Sequence, residues 1–153
     1  MKITFKEKSF FDENIEVLDE SRQLIANFNK KKGDYYLCFN DIEYFVIADG
    51  SLNYKSELIN VKNKEKIGII NTTSKWSVSF KYNDKKYIYV EQFPLGYNFN
   101  IKDGNNKIIL IGSKNLITNN AEISSLEEVD IFLILYTFII KLNRKKLLLE
   151  KFI

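Results

Sequence analysis

The sequence contains no histidine, and this absence excludes a wide range of chemistry. Histidine supplies the base in serine and cysteine hydrolases, binds zinc in metalloproteases and shuttles protons near neutral pH. The glycine-rich patterns GxGxxG and GxxxxGK[ST], which form nucleotide-phosphate loops, are also missing. We therefore expect a protein that is not an enzyme and that uses neither a cofactor nor a metal.

Cysteine, proline and glycine are scarce as well. Cys38 is the single cysteine, so the chain forms no intramolecular disulfide, which suits the reducing cytoplasm. The residues from Met1 to Asn14 hold no apolar run of the secretory kind. With one proline, six glycines and no proline-rich or glycine-rich linker, residues 1–153 are expected to form a single cytoplasmic domain. A chain of this length buries enough surface for one core without disulfide or metal support.

Charge of one sign is not in excess either. The chain has 23 basic and 20 acidic side chains, a net charge of +3 at pH 7. Nucleic-acid binding usually requires a larger basic excess that neutralises many phosphates. We therefore expect no nucleic-acid partner.

Short apolar runs separated by turn residues occupy most of the first 112 residues. The cleanest example is residues 76–82, where apolar and polar side chains alternate, as in a strand with one buried face. A turn at Asn83–Asp84 and a second alternating run at residues 86–93 complete a predicted hairpin. Asp103–Gly104 predicts another hairpin, because both residue types tolerate the positive φ of a tight turn.

The same pattern of apolar runs separated by turn residues predicts about eleven strands in all, at the spacing typical of β-sandwiches and β-barrels. They are Ile3–Phe5, Ile15–Leu18, Leu24–Phe28, Tyr35–Phe39, Tyr44–Ile47, Leu58–Val61, Ile67–Ile70, Trp76–Tyr82, Lys86–Phe93, Tyr97–Lys102 and Lys107–Ile111.

The C-terminal segment predicts a helix from Ser125 to Leu142. Ser124 and Ser125 each have a glutamate three residues later, and this spacing is typical of a capping box at a helix start. Residues 129–140 read VDIFLILYTFII, which is apolar on nearly every side of a helix. Asp130, near the helix start, is interpreted as a residue that caps the helix or benefits from its dipole.

Such a helix needs an apolar environment on all sides. A bilayer would require about 20 apolar residues, and the run of about 12 is too short. A closed antiparallel β-barrel of about 11–12 strands has an interior wide enough for one helix. We therefore predict a mainly β protein in which the barrel, at residues 2–112, surrounds the helix. An open antiparallel sheet with the helix on one face is the alternative.

These elements resemble the tubby C-terminal superfamily, which includes the LURP-one-related proteins and the phospholipid scramblases. The resemblance rests on the hydrophobic helix Ser125–Leu142 and on strand pairs such as Leu58–Val61 with Ile67–Ile70. It implies a closed barrel of about twelve strands around the C-terminal helix. Residues 143–153 continue past the helix, where members of the superfamily end close to it.

Two basic clusters are candidates for contact with anionic lipids, phosphoinositides included. The candidate residues are Lys30, Lys31, Lys32, Arg144, Lys145 and Lys146. The second cluster lies in the predicted tail 143–153, which combines basic and apolar residues as membrane-surface segments do. The same composition also suits the negative end of a helix dipole, with the leucines completing the core.

The sequence thus predicts a non-enzymatic binding module that contacts an anionic membrane surface, peripherally, or a protein. The alternative is a small protein-interaction domain, of the kind that inhibits or neutralises a partner, with no lipid role. Three further groups are interpreted as structural. Cys38 is expected to be a buried thiol, and Glu127 and Glu128 are expected to cap the helix.

Overall fold

The computed structural model describes residues 1–7, 14–49, 55–67, 69–73, 77–92, 98–114 and 120–151. Within these ranges the chain forms thirteen strands and one helix. They are β1 (Lys2–Glu7), β2 (Asn14–Leu18), β3 (Leu24–Lys31), β4 (Asp34–Phe39), β5 (Ile42–Asp49), β6 (Lys55–Asn60), β7 (Lys66–Ile67), β8 (Ile69–Thr73), β9 (Ser77–Tyr82), β10 (Lys85–Glu91), β11 (Asn98–Lys102), β12 (Ile108–Lys114), β13 (Ala121–Ser125) and α1 (Ile131–Lys151).

The strands form one antiparallel sheet that curls into a nearly closed barrel. Each strand pairs with its neighbour in sequence, and β1 also pairs with β13. The sheet begins at β7 and ends at β8, which are one residue apart in the chain. β7 pairs with β6 and β8 pairs with β9, so the two act as halves of one strand. The result is a barrel of twelve strands, as the sequence predicts.

The helix α1 fills the barrel. Residues 133–140 are all at most 2% exposed, which on a helix requires cover from every side. Phe138 stacks on Phe5 of β1, with ring centroids 4.0 Å apart, while Tyr136 contacts Phe80 of β9 at 5.3 Å. Because β1 and β9 lie far apart in the sheet order, the helix touches opposite walls. The prediction of a barrel around a helix is confirmed, and the open-sheet alternative is wrong.

The predicted start of the helix at Ser125 is wrong. Ser125 ends β13, opposite Leu110 of β12, and its N–H donates to the carbonyl oxygen of Met1 at 2.8 Å. The helix begins only at Ile131, where Asp130 Oδ1 accepts the N–H of Phe132 at 2.9 Å. Sheet pairing therefore takes the backbone groups that the capping boxes would have used, and Asp130 is the N-cap.

The predicted end of the helix is wrong as well. The helix extends to Lys151, so residues 143–151 belong to α1 and do not form a separate tail. This segment is rich in Leu and Lys and contains neither glycine nor proline, so nothing in it favours a break.

Every predicted strand overlaps an observed strand, with two differences in detail. The run Ile67–Ile70 is divided between β7 and β8, because its two halves have different partners. The strand β13 is absent from the prediction, since only Ala121 and Ile123 in it are buried apolar residues. Trp76, assigned to a strand from the sequence, lies outside the described residues.

The turns also refine the predictions. Asn83 and Asp84 have φ values of 48° and 61°, as a tight two-residue hairpin requires. In the second hairpin the positive φ, 63°, belongs to Asn106 and not to Gly104. Asp103 closes this turn by accepting the N–H groups of Asn105 and Lys107.

The alternating strands give the barrel two distinct ends. We call the end at the helix N-terminus the cap end; the turns at 19–23, 40–41, 61–65, 83–84 and 103–107 lie there. The opposite end, which the helix reaches at Lys141, is the exit end, and the turn at 32–33 lies there.

Candidate functional site

The two predicted basic clusters lie at the same end of the barrel. Lys30 and Lys31 end β3, and Lys32 with Gly33 forms the hairpin turn at the exit end. Lys32 and Gly33 have φ values of 52° and 88°, as expected of a tight turn. Residues 144–146 belong to the last turns of α1, past the segment that the barrel encloses. Two clusters that are far apart in sequence thus lie at the same end of the barrel.

Tyrosine rings support the lysines of the first cluster. The Lys30 Nζ lies 5.5 Å from the ring centroid of Tyr35, and the Lys31 Nζ lies 5.2 Å from that of Tyr36. Lys31 also approaches Glu43 at 3.4 Å, but both side chains are exposed, so this pair contributes at most about 1 kcal/mol. The three lysines therefore present exposed positive charge on a well-packed hairpin.

A buried polar contact anchors the helix just inside the exit end. The Lys141 Nζ lies 3.7 Å from Glu91 Oε1, with the two side chains 11% and 2% exposed. Tyr89 donates a hydrogen bond to the same oxygen at 2.9 Å, and the Lys141 Nζ lies 5.7 Å from the ring centroid of Phe99. Opposite charges inside the wall compensate each other and fix the depth of the helix.

Sequence reasoning did not single out this pair. Side chains alternate between the two faces of a strand, so Glu91 lies on the inward face of β10 together with Tyr87 and Tyr89. This alternation is the sequence feature that could have identified Glu91. An inward carboxylate in a barrel predicts a cationic partner on the enclosed helix, where Lys141 follows the apolar run.

A second polar contact anchors the helix at the cap end. Tyr82 of β9 donates a hydrogen bond to Asp130 Oδ2 at 2.8 Å, while Oδ1 of the same carboxylate caps the helix. Burial raises the pKa of the Tyr82 phenol well above its ordinary value, and the hydrogen bond and charge of Asp130 raise it further. Asp130 is therefore a structural residue, and the capping interpretation is confirmed.

A cleft of about 500 Å³ opens beside this anchor, between the start of α1 and the turns of β9–β12. Glu127 and Glu128 both line it, and Glu127 pairs with Lys107 at 3.0 Å. Since the helix begins at Ile131, these glutamates are not its caps, and that prediction is wrong.

Cys38 also differs from its prediction. Its side chain is on the outer face of β4 and is partly exposed, with the Asn29 Nδ2 4.0 Å from the sulfur. The apolar run YYLCF suggested burial, but period two turns Leu37 and Phe39 inward and Cys38 outward.

Comparison with protein-family models, curated proteins and solved structures finds no match for this chain. In the described part of the chain, no three acidic or cysteine side chains are grouped so that they could hold a metal ion. No helix among the described residues has both the length and the apolar character needed to cross a membrane.

Proposed function

We propose that this protein is a non-enzymatic binding module whose exit end contacts anionic, phosphate-bearing membrane surfaces. The observation that carries this proposal is the common position of Lys30–Lys32 and residues 144–146 at one end of the barrel. Phosphoinositide headgroups have the charge and the oxygen acceptors that such a cluster would bind.

The number of basic residues sets the expected binding free energy. Each lysine or arginine near an anionic membrane surface contributes about 1 kcal/mol of binding free energy. Six such residues at one end would give selective, salt-dependent binding, since the attraction falls off within a Debye length of about 8 Å at physiological salt.

The filled interior supports binding on the outer surface. Helix α1 occupies the barrel with large side chains such as Tyr136 and Phe138, both at most 2% exposed. A carrier of small apolar ligands would need this volume to be empty. The barrel around a helix is also the basis on which we propose a relationship with the tubby C-terminal superfamily.

Vesicle co-sedimentation at low and physiological salt tests the proposal. Wild type should bind vesicles that contain phosphoinositides and not neutral vesicles. The triple variant Arg144→Gln, Lys145→Gln, Lys146→Gln should lose affinity by about 100-fold, because it removes about 3 kcal/mol of attraction.

A variant with the same change in charge at the cap end is the matched control. Arg22, Lys62 and Lys64 are exposed residues of the turns there, and their replacement by glutamine also removes three charges. This variant should bind like wild type. Equal losses for both variants would show that net charge alone acts, and no binding by wild type would contradict the proposal.

A second candidate, a small protein-interaction domain, is favoured by the outer face of the barrel. Ile88 and Ile108 flank Lys102 on neighbouring strands, and both are more than a third exposed, as is Ile111. Exposed apolar patches often mark protein interfaces. A stoichiometric partner that binds at any salt without lipid, and that Ile111→Lys releases, would favour this function.

A further inference from the structure

We propose that the cleft at the cap end binds a small organic cation of the alkylammonium or guanidinium class. The cleft is at the opposite end of the barrel from the basic clusters, so this inference is independent of the proposed membrane contact.

The shape of the cleft suits a small molecule. Its volume of about 500 Å³ falls within the range of pockets that hold small ligands. Ile109, Val129 and Leu133 give it an apolar part, and Tyr82 and Tyr87 add aromatic surface. An alkyl chain would pack against the former, and a cation would lie favourably over a tyrosine ring.

Tyr87 is the observation that points to a ligand. Its side chain lines the cleft, is 9% exposed and stacks on Phe80, with ring centroids 5.7 Å apart. Among the described residues, none forms a hydrogen bond with the Tyr87 hydroxyl, and this oxygen is not sealed from solvent, so it is open to a group that enters the cleft. The nearby Tyr82 hydroxyl, by contrast, is taken by Asp130.

The charges around this hydroxyl favour a cation. The carboxylates of Asp103, Glu127, Glu128 and Asp130 line the cleft. Burial raises the pKa of the Tyr87 phenol, and the charges of Asp103, Glu127 and Asp130 raise it further. Lys85 and Lys86 also line the cleft, but both are exposed and the carboxylates outnumber them.

The free acceptors define the chemistry of the ligand. Asp130 is committed to Tyr82 and to the helix cap, and Glu127 is paired with Lys107. In the described part of the structure, Glu128 has no hydrogen-bond or ion-pair partner. The phenol oxygen of Tyr87 and the Glu128 carboxylate both line the cleft, and each can accept a hydrogen bond from an N–H donor of a cation.

An NMR titration of the ¹⁵N-labelled full chain tests the inference, with n-butylammonium, ethylguanidinium and inorganic phosphate as probes. The two cations should shift amide signals of residues 85–87, 103–107 and 128–133, and phosphate should not. Tyr87→Phe and Glu128→Gln should each weaken cation binding by about fivefold or more, because each removes one charge-assisted or hydroxyl acceptor.

Tyr36→Phe, on the outer face of β4, is the matched control and should bind like wild type. Glu128 is exposed, so Glu128→Gln keeps the test valid even if Tyr87→Phe disturbs packing. No shift at the cleft with either cation would overturn the proposal. So would stronger binding of phosphate there, or cation binding that neither variant weakens.

Discussion

The two ends of the barrel hold the central helix by different physical means. At the cap end, Asp130 is solvent-exposed and joins the helix to β9 through a hydrogen bond from Tyr82. At the exit end, Lys141 and Glu91 form an ion pair that is almost fully buried. The first contact is shared with water, whereas the second is almost closed to water.

The ends also differ in how their surface charges are used. At the cap end several polar side chains close turns, as Asp19 does with the N–H of Gln23 and Asp103 with that of Lys107. At the exit end the turn lysine Lys32 is exposed, and it has no such partner among the described residues. Several polar side chains of the cap-end turns therefore stabilise the turns themselves, whereas the charge of Lys32 faces solvent.

The largest expected effect comes from breaking the exit-end anchor. Glu91→Ala removes the carboxylate that pairs with the buried Lys141 ammonium, which should lower the free energy of unfolding by about 3–5 kcal/mol. Urea unfolding followed by circular dichroism measures this change.

A double variant sharpens the interpretation. Glu91→Leu with Lys141→Met replaces the pair by apolar side chains and should recover most of the loss, because no charge is then buried. If the double variant is as unstable as Glu91→Ala, packing of the side chains accounts for the loss and the ion pair does not.

The cap-end anchor should cost less to remove. Asp130→Ala deletes the N-cap of α1 and the acceptor of Tyr82, and it should lower the free energy of unfolding by about 1–2 kcal/mol. The same urea titration compares it with Glu91→Ala. A loss as large as that of Glu91→Ala would contradict the difference between the two ends.

The smallest expected effect is a decrease in folding stability at alkaline pH, which arises from Tyr82 at the cap end. The folded protein holds the Tyr82 proton more tightly than the unfolded chain, because burial and Asp130 raise the pKa of this phenol. The resulting stability is fully present below about pH 10 and is lost as the pH rises further.

Tyr82→Phe isolates this contribution. The variant should lose stability less steeply between pH 9 and pH 11 than wild type, by at most about 1.4 kcal/mol per pH unit. Parallel slopes in urea unfolding at these pH values would show that Tyr82 is not the group responsible.

The barrel could be predicted from the sequence because its signals are local. Alternation in residues such as Val78, Phe80 and Tyr82 marks a strand with one buried face. An apolar surface on all sides of the helix then requires an enclosing wall, which only a closed sheet provides. Neither step needs knowledge of which strands pair.

The errors arise where pairing between distant segments decides the outcome. Ser125 has the spacing of a helix cap, but Met1 and Leu110 hold it in the sheet. The division between β7 and β8 likewise depends on their partners in β6 and β9. Such contacts leave no periodic trace in the sequence.

The candidate site could be predicted only in part from the sequence, for the same reason. The lysines and the arginine of both clusters could be identified directly from the sequence. Their location at the same end of the barrel depends on the number of strands between them. The cleft around Tyr87 depends on side chains from β10, from the turn at 103–107 and from the segment before α1. No local motif joins these three segments.

The most direct test of the account is an NMR measurement with spin-labelled lipid in phosphoinositide-containing nanodiscs. Gly33 and Gly104 lie in turns at opposite ends of the barrel, so their amide signals report on the exit end and the cap end separately. Membrane contact through the exit end should broaden the Gly33 signal strongly and change the Gly104 signal little. Equal broadening, or broadening at Gly104 alone, would contradict it.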